Sequence, residues 1–424
     1  MTEKRSFDVV VVGGGVIGLS CAWRVAQHGA RVAVLERARP GAGATRVAAG
    51  MLAPVGELSF GEPELLELTL AAARLYPEFV AELEAATGKR TGYERLGALH
   101  VALDGDEAAQ LRRVHDQQRT LELEAEWLPP RRCRELEPGL TPSFHGGVLA
   151  AGEAAVDPRA LTEALAAAVV GEGGVVWAGA EVVDGIFEGE RLAGVRIRRR
   201  ARHEAATGGQ MAGRETAAGG GAATAPEGRE VELRAGAVVL ASGAWSGAAE
   251  WLPEGARPRV RPVKGQIVEL RARQGEQPPT RRILASERVY MVPRGDGRLI
   301  VGATVEEMGF DTTVTAGGVH ELLREAYRLL PDVAEMEFVG AIAGLRPGTP
   351  DNLPIVGPGA IPGLVLATGH YRNGILLAPH TAEAAADLLA GDESSAPVHP
   401  LRSSFRPNRP GKDERPVTGV GPNS

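Results

Sequence analysis

Four residues near the start of the chain have the types and spacing of a dinucleotide site. Gly13, Gly15 and Gly18 follow an apolar run over residues 9–12, and Glu36 lies 18 positions beyond Gly18. Gly13 would permit a tight turn, Gly15 a close backbone approach to a pyrophosphate, and Gly18 close packing of a helix on a strand. That helix would present free amides to the phosphates, and Glu36 would accept hydrogen bonds from ribose hydroxyls. Its charge should repel a 2′-phosphate, which disfavours NADP.

A small-residue loop bears on which dinucleotide would bind. The glycine motif alone does not separate FAD from NAD. Its place at the very start of the chain and the loop over residues 41–51 favour FAD, because the phosphates and ribityl chain of a flavin need close backbone approach. A tight turn without a ligand and an ordinary connecting loop stay open as alternatives.

The elements that must position these residues follow from hydrophobic periodicity. A strand over 7–12, a helix over 16–28 and a strand over 31–35 form one βαβ unit. Asp157 caps a helix that Pro158 opens and that runs to about residue 170. Residues 39–50 are predicted to be a loop, and Pro379 should kink or restart the last helix. The remaining predicted helices cover 61–88, 318–330 and 374–389, and the remaining strands lie near 174–178, 180–187, 191–198, 238–241, 265–271, 288–293, 298–302 and 364–368.

Composition excludes several classes of protein. The 424 residues carry 47 basic and 54 acidic side chains, a net charge of −7, which argues against nucleic-acid binding. Two cysteines, Cys21 and Cys133, make a disulfide framework or a cysteine-rich metal site improbable and indicate a reducing compartment. No apolar stretch approaches 18 residues, so we expect no transmembrane helix, no membrane partner and a cytoplasmic protein.

Several stretches resemble the D-amino acid oxidase superfamily of FAD enzymes, and most closely its glycine oxidases of thiamine biosynthesis. The resemblance runs from about residue 7 to 390, and the last two of its motifs are the most diagnostic. The motifs are VVGGG at 11–15, AAGML at 48–52, VLASGAWS at 239–246, PVKG at 262–265, VYMVPR at 289–294, GAT at 302–304, GLRPGT at 344–349 and GHYRNGILL at 369–377.

This resemblance implies a set of residues that contact a non-covalently bound FAD. Beyond the motif glycines, the matching positions are Val16, Ile17, Glu36, Arg37, Ala44, Thr45, Ala49, Gly50, Met51, Val182, His370, Tyr371, Arg372, Asn373, Gly374, Ile375 and Leu376.

The resemblance also implies three substrate-binding residues, Arg346, Tyr290 and Arg372. Arg346 would clamp the carboxylate of an amino acid, since a guanidinium offers a rigid two-pronged donor. Tyr290 would add a hydroxyl hydrogen bond, and Arg372 would line the same pocket. His370 is interpreted as a backbone contact rather than a base, and Lys264 as structural rather than oxygen-attracting.

The activity that the resemblance implies is oxidative deamination of glycine, and also of sarcosine or small D-amino acids, by hydride transfer to flavin. With oxygen as acceptor, the products would be a 2-oxo acid, ammonia and hydrogen peroxide. The pathway would be the formation of the thiazole part of thiamine. The alternatives are a broader D-amino acid or sarcosine oxidase or dehydrogenase, and a non-catalytic FAD-binding subunit. Val305 replaces the methionine expected of glycine oxidases, which widens the choice of substrate. The resembled group also suggests a homotetramer.

We therefore expect an α/β fold in which a Rossmann-like FAD-binding domain is interwoven with an α+β substrate domain built on an antiparallel sheet. The FAD-binding domain would take residues 1–85, 146–245 and 340–392, and the substrate domain 86–145 and 246–339. An insert near 201–229 and a tail over 393–424 are predicted to be disordered. Residues 51–63 are a candidate lid over the pocket.

Overall fold

A computed structural model of the protein describes residues 3–199 and 230–390. The predicted insert and tail lie outside these residues. The strands are β1 (Glu3–Val12), β2 (Val32–Glu36), β3 (Met51–Leu52), β4 (Ala98–Val101), β5 (Glu126–Leu128), β6 (Gly147–Ala150), β7 (Ala154–Ala155), β8 (Val175–Ala178), β9 (Ala180–Glu188), β10 (Arg191–Arg199), β11 (Glu230–Leu240), β12 (Arg261–Arg271), β13 (Ile283–Ala285), β14 (Tyr290–Pro293), β15 (Arg298–Gly302), β16 (Glu337–Gly348), β17 (Ile355–Pro358) and β18 (Leu364–Thr368).

Eight α-helices and three short 3₁₀ segments complete the described part of the chain. The helices are α1 (Val16–Gln27), α2 (Ala44–Val47), α3 (Pro63–Thr87), α4 (Gly105–Thr120), α5 (Pro130–Leu136), α6 (Pro158–Gly171), α7 (Ala316–Leu329) and α8 (Ala378–Ala390), and the 3₁₀ segments Gly243–Ala248, Glu254–Ala256 and Pro331–Glu335. Within the described ranges, no helix combines the length and apolar character needed to cross a membrane.

The first sheet has the order β17-β18-β11-β1-β2-β8, in which β17 is antiparallel to β18 and the other neighbours are parallel. The pairs β11–β18, β1–β11, β1–β2 and β2–β8 are parallel, and β9 and β10 continue it as an antiparallel ribbon beside β11. Residues 9–11 of β1 are almost entirely inaccessible, as expected of a strand covered on both faces. Helices α1, α6 and α8 pack together on one face, so the predicted βαβ unit lies at the centre of this layer.

The second sheet has the order β16-β12-β15-β14-β13-β4-β6-β5. Its pairs are antiparallel except for β4 and β13, which run parallel. The expected antiparallel sheet is therefore largely as predicted. Its β6, and β16 from residue 340 onward, come from residues that the predicted division assigned to the FAD-binding domain. That division stays a prediction, and we propose moving these two strands to the substrate domain.

Two local expectations were wrong for reasons of backbone chemistry. The final helix begins at Ala378, not at residue 374, and Pro379 stands in its first turn, where its missing N–H costs no hydrogen bond. Turns occupy residues 371–372 and 374–377 instead. The loop over 39–50 also contains the short helix α2, Ala44–Val47.

Asp157 links a helix cap to an ion pair between distant elements. Its carboxylate accepts hydrogen bonds from the amides of Arg159 and Ala160, at 2.8 and 3.4 Å, as predicted for the start of α6. Its other oxygen lies 2.5 Å from the guanidinium of Arg298 on β15. Burial by itself would raise the pKa of Asp157, but Arg298 and Arg294 outweigh it and hold that pKa below its usual value.

We predict that Asp157→Ala lowers the free energy of unfolding by about 3 kcal/mol, because it removes a cap and leaves the largely buried Arg298 with only the exposed carboxylate of Asp296. Asp157→Asn should lose less, since it retains an oxygen for the cap. Urea unfolding of the purified protein measures both. Asp104→Ala is the control, because Asp104 caps α4 from an exposed position and should cost only about 1 kcal/mol. Equal losses at Asp157 and Asp104 would contradict the role of the ion pair.

Candidate active site

A cavity of about 1080 Å³ opens at the carboxyl ends of the parallel strands and extends to the second sheet. In doubly wound folds this edge is where the chain leaves the sheet with free backbone groups, and ligands bind there. Residues from β1, β2, β14 and β16 line the same cavity, so the two sheets build it together.

The glycine turn brings backbone against backbone at one wall of the cavity. Gly13 has a φ of +115°, and a Cβ there would lie 2.7 Å from the carbonyl carbon of Ala241. A Cβ on Gly18 would collide with the carbonyl of Gly13. The amide of Val16, in the first turn of α1, donates to Oγ1 of Thr45 at 3.1 Å. The predicted roles of Gly13 and Gly18 thus correspond to close backbone contacts, the role of Gly15 stays a prediction, and helix α1 points its N-terminus at the cavity.

Glu36 ends β2 with its carboxylate at the cavity. Its Oε2 accepts a hydrogen bond from the amide of Gly14 and its Oε1 one from the amide of Ala38, both at 2.9 Å. These two amides fix the carboxylate beside the glycine turn. An oxygen of a carboxylate has lone pairs to spare, so Glu36 is placed to accept the hydroxyls of a ribose.

The small-residue loop is held by Val156, which follows β7, and by Arg294, which follows β14. Gly50 has a φ of +72°, and its carbonyl accepts the amide of Val156 at 2.9 Å. The guanidinium of Arg294, at the end of β14, donates to the carbonyl of Ala49. Burial lowers the pKa of Arg294 to about 10, so it stays charged at neutral pH. The loop therefore has a fixed backbone where a flavin needs close approach.

These features fit FAD. The glycines leave a cradle that a Cβ would fill, α1 directs backbone amides to it, and an acidic residue stands where a ribose would lie. Gly15, Thr45, Gly50 and Val182 all line the one cavity.

Arg346 lies on β16, where two backbone carbonyl oxygens and the side chain of Tyr290 accept its hydrogen bonds. Its Nη1 donates to the carbonyl oxygens of Thr304 and Lys264, at 3.0 and 3.3 Å. A Cβ on Gly265 would lie 2.5 Å from Cζ of Arg346, so the missing side chain on β12 makes room for the guanidinium. Among the described residues, no carboxylate forms an ion pair with Arg346. Its charge is thus positioned at the cavity without being neutralised.

Tyr290 begins β14 directly opposite Gly302 of β15. A Cβ on Gly302 would lie 2.6 Å from Cε2 of the ring, so again a glycine provides the space. Burial raises the pKa of Tyr290, and the charge of Arg346 opposes that rise. The hydroxyl therefore stays protonated at neutral pH and is available as a donor.

Arg372 lines the cavity but differs from Arg346 in already having a counter-ion. Its Nη2 lies 3.4 Å from Oε1 of Glu57, which raises the pKa of Arg372. Glu57 belongs to the candidate lid, residues 51–63, of which several line the cavity. The structure thus places that segment as a wall of the cavity.

His370 and Lys264 are engaged elsewhere. The Nε2 of His370 lies 2.8 Å from Oγ1 of Thr381 in the interior, and burial lowers the pKa of the imidazole to about 3. The buried ammonium of Lys264 lies 3.2 Å from Asp311 and 3.3 Å from Glu306. Burial alone would lower the pKa of Lys264, but these two hydrogen bonds raise it. This geometry agrees with a structural Lys264 and gives His370 no base-like position.

The structure gathers most of the predicted site residues around the cavity. Those that line it are Gly13, Gly15, Val16, Ile17, Glu36, Arg37, Ala44, Thr45, Ala49, Gly50, Met51, Val182, Tyr290, Arg346, His370, Tyr371, Arg372, Asn373, Gly374 and Ile375. Gly18 packs behind the glycine turn, and Leu376 is buried in the apolar core. Neither Cys21 nor Cys133 lines the cavity.

Sequence reasoning missed the residues that support the predicted ones. The guanidinium of Arg37 lies 3.9 Å from the ring centre of Trp245, a cavity residue, and Glu57 holds Arg372. Trp245 stood within a quoted motif, which could have signalled it. Glu57 carries no local signal, because its partner is 315 residues away.

The sequence matches the model of a family of FAD-dependent oxidoreductases, the DAO family, over residues 8–388. The chain belongs to this family, and its cofactor is FAD.

Individual relatives narrow the comparison. A bifunctional protein ThiO/ThiG of Trichormus variabilis is 36% identical over 403 residues, which cover 95% of this chain and 55% of that protein. A glycine oxidase of Geobacillus kaustophilus is 34% identical over 403 residues, 95% of this chain and 97% of its own length. The crystal structure of glycine oxidase from that organism gives a TM-score of 0.79 at 33% identity, covering 96% and 99% of the two chains. The chain spans about half the length of the bifunctional relatives that it matches.

We predict that Glu36→Ala weakens FAD binding about tenfold, because it removes the charged acceptor for the ribose hydroxyls. Quenching of flavin fluorescence, as FAD is titrated into the apoprotein, gives the dissociation constant. Glu230→Ala, on an exposed strand end, is the matched control and should leave FAD affinity unchanged. An unaltered dissociation constant for Glu36→Ala would mean that the ribose lies elsewhere.

Proposed function

We propose that this protein is a glycine oxidase that oxidises the amine of glycine and of closely similar small amino acids. The observation that carries the proposal is Arg346, a guanidinium held by two carbonyl oxygens in the FAD cavity and lacking a carboxylate partner in the described part of the chain. A non-catalytic FAD-binding subunit would have no reason to maintain such a cation.

The clamp fits an amino acid carboxylate. A guanidinium binds a carboxylate through two parallel hydrogen bonds, and this pairing is stronger where water is excluded. Burial raises the pKa of Tyr290 more than Arg346 lowers it, so Tyr290 adds a neutral hydroxyl donor. Together they would fix the carboxylate and leave the amine and the α-carbon free of the clamp.

The residues of this chain bind and orient the substrate, and FAD supplies the oxidising chemistry when bound. The fixed clamp would reduce the freedom that the substrate must lose before reaction. His370 is buried, bonded to Thr381, and neutral at physiological pH because burial lowers its pKa to about 3. An imidazole with so low a pKa is a poor proton acceptor, so the substrate would react as its neutral amine.

The relatives support this choice of substrate. Proteins named glycine oxidase match over nearly the full length of both chains. Val305 lines the cavity and is 57% exposed, so it narrows the pocket little and leaves room for sarcosine or D-alanine. A role in thiamine biosynthesis, oxygen as acceptor, a cytoplasmic location and a homotetramer belong to the same proposal.

We expect Arg346→Ala to lower kcat/KM for glycine about 10²- to 10³-fold, because it removes a charged bidentate contact with the substrate. Arg346→Lys should recover little, since an ammonium does not reproduce the fork. Steady-state kinetics on FAD-saturated protein measure both. Arg271→Ala on β12 is the control. Loss of FAD together with activity would show that Arg346 supports the fold and not the substrate.

A substrate panel tests the proposed activity directly. We expect peroxide release with glycine and sarcosine, weaker release with D-alanine or D-proline, and none with L-amino acids. Flavin bleaching under anaerobic conditions checks reduction independently of oxygen. Activity confined to larger D-amino acids would replace glycine with a broader substrate class. Reduction without peroxide would indicate a dehydrogenase, and no reduction by any amine would overturn the proposal.

A further inference from the structure

The cavity wall over residues 53–58 is held from behind by two buried polar side chains. Oε1 of Glu153 accepts the amides of Val55 and Gly56, at 3.0 and 2.5 Å. Nε2 of Gln118, on α4, donates to the carbonyl of Val55 at 2.9 Å. Glu153 is 2% exposed and Gln118 is 1% exposed. Backbone donors and a backbone acceptor of residues 55 and 56 are therefore both held by side chains that lie far away in the sequence.

The same spot contains two buried polar atoms without partners. Within the described chain, neither Oε2 of Glu153 nor Nε2 of His100 has a hydrogen-bond partner. Both atoms flank Gly56: a Cβ there would lie 3.0 Å from Oε2 of Glu153 and closer still to Nε2 of His100. Buried polar atoms are usually paired. A carboxyl proton on Glu153 would complement the acceptor nitrogen of a neutral imidazole across the gap that the glycine leaves.

The charge states agree with that arrangement. Burial raises the pKa of Glu153 to about 8, against the opposing effect of the Gly56 amide. Burial also lowers the pKa of His100 to about 4. At neutral pH the carboxyl is then largely protonated and the imidazole neutral, so the pair contributes no net charge beneath the wall.

The segment leads directly into the charged group at the cavity. Glu57 follows Gly56, its amide donates to the carbonyl of Ala53 at 3.0 Å, and its carboxylate holds Arg372. Glu57 also raises the pKa of Tyr290, and Arg372 lowers it. The position of residues 55 and 56 thus decides where a carboxylate and a guanidinium stand relative to the substrate clamp.

We propose that Glu153 is a positioning residue for the oxidation: by holding the amides of Val55 and Gly56 it fixes the cavity wall and sets Glu57 against Arg372. Glu153 touches neither the substrate nor the cofactor in this role. The inference rests on the proposed function, because the consequence it predicts is for amino acid binding.

The test compares Glu153→Ala and Glu153→Gln in FAD-saturated protein. Glu153→Ala should raise the KM for glycine about tenfold and change kcat less than threefold. The substitution removes the acceptor that holds the wall, and it leaves the residues around the cofactor unchanged. The dissociation constant of glycolate, a carboxylate without an amine, should rise by the same factor in flavin difference spectra. Glu153→Gln should stay within about twofold of the parent in both measurements, since its amide oxygen still accepts the two N–H groups and its N–H replaces the carboxyl proton.

Two further variants test the same hold on the wall if Glu153→Ala folds poorly. Gln118→Leu removes the other hold on Val55 and should raise the KM for glycine in the same way. Glu137→Ala removes an equally buried carboxylate that accepts the Arg281 amide and pairs with Arg282. It should lower the melting temperature without changing KM. Unchanged KM in both Glu153→Ala and Gln118→Leu, or a Gln variant as impaired as the Ala variant, would overturn the proposal.

Amide hydrogen exchange separates this inference from the proposed function. Exchange of a peptide spanning residues 53–60 should accelerate in Glu153→Ala and not in Glu137→Ala. If the parent protein oxidises no amine, the proposed function fails while the exchange still reports the hold on the wall. If the parent is active and exchange in Glu153→Ala is unaltered, the hold itself is disproved.

Discussion

The cofactor site depends on close contact between three backbones that no side chain separates. Gly13 lies against the carbonyl of Ala241 at the end of β11, and Gly18 brings α1 against Gly13 itself. Because neither glycine carries a Cβ, the first turn of α1 and the ends of β1 and β11 pack directly against one another. The amides of α1 then face the cavity, where they stabilise phosphate charge. Glu36 follows from the same constraint, since β2 is the parallel neighbour of β1 and ends at the same edge.

The substrate side is built on the same principle by the second sheet. Gly265 leaves space for the guanidinium of Arg346, and Gly302 leaves space for the ring of Tyr290. Carbonyl oxygens orient Arg346 without neutralising it. A partly buried cation lacking a counter-ion costs free energy, and a bound carboxylate would relieve that cost. Lys264 shows the contrast, because two carboxylates already neutralise it.

Local rules were enough wherever the signal lies in neighbouring residues. The glycine motif, Glu36 and the Asp157 cap were predicted from short spacings. The resemblance supplied Arg346 and Tyr290, and the glycines that make room for them, Gly265 and Gly302, stand in two other motifs of the same resemblance. The start of α8 was misplaced because apolar periodicity continues through the turns before Pro379. Glu153, Gln118 and His100 could not be found, since each acts on residues dozens of positions away and carries no pattern of its own.

Stability and cofactor binding are coupled through one cluster of charges between the sheets. Asp157 caps α6 and binds Arg298, and it also acts on the neighbouring Arg294, whose guanidinium holds the carbonyl of Ala49 in the loop that FAD approaches. The groups that join the two sheets are therefore the groups that fix this loop. Because FAD binds only the folded arrangement, its binding free energy adds to the stability of the joint between the sheets. A change that loosens the joint enough to populate its open form then weakens the apparent binding of FAD by the same linkage, even where the residue never touches the cofactor.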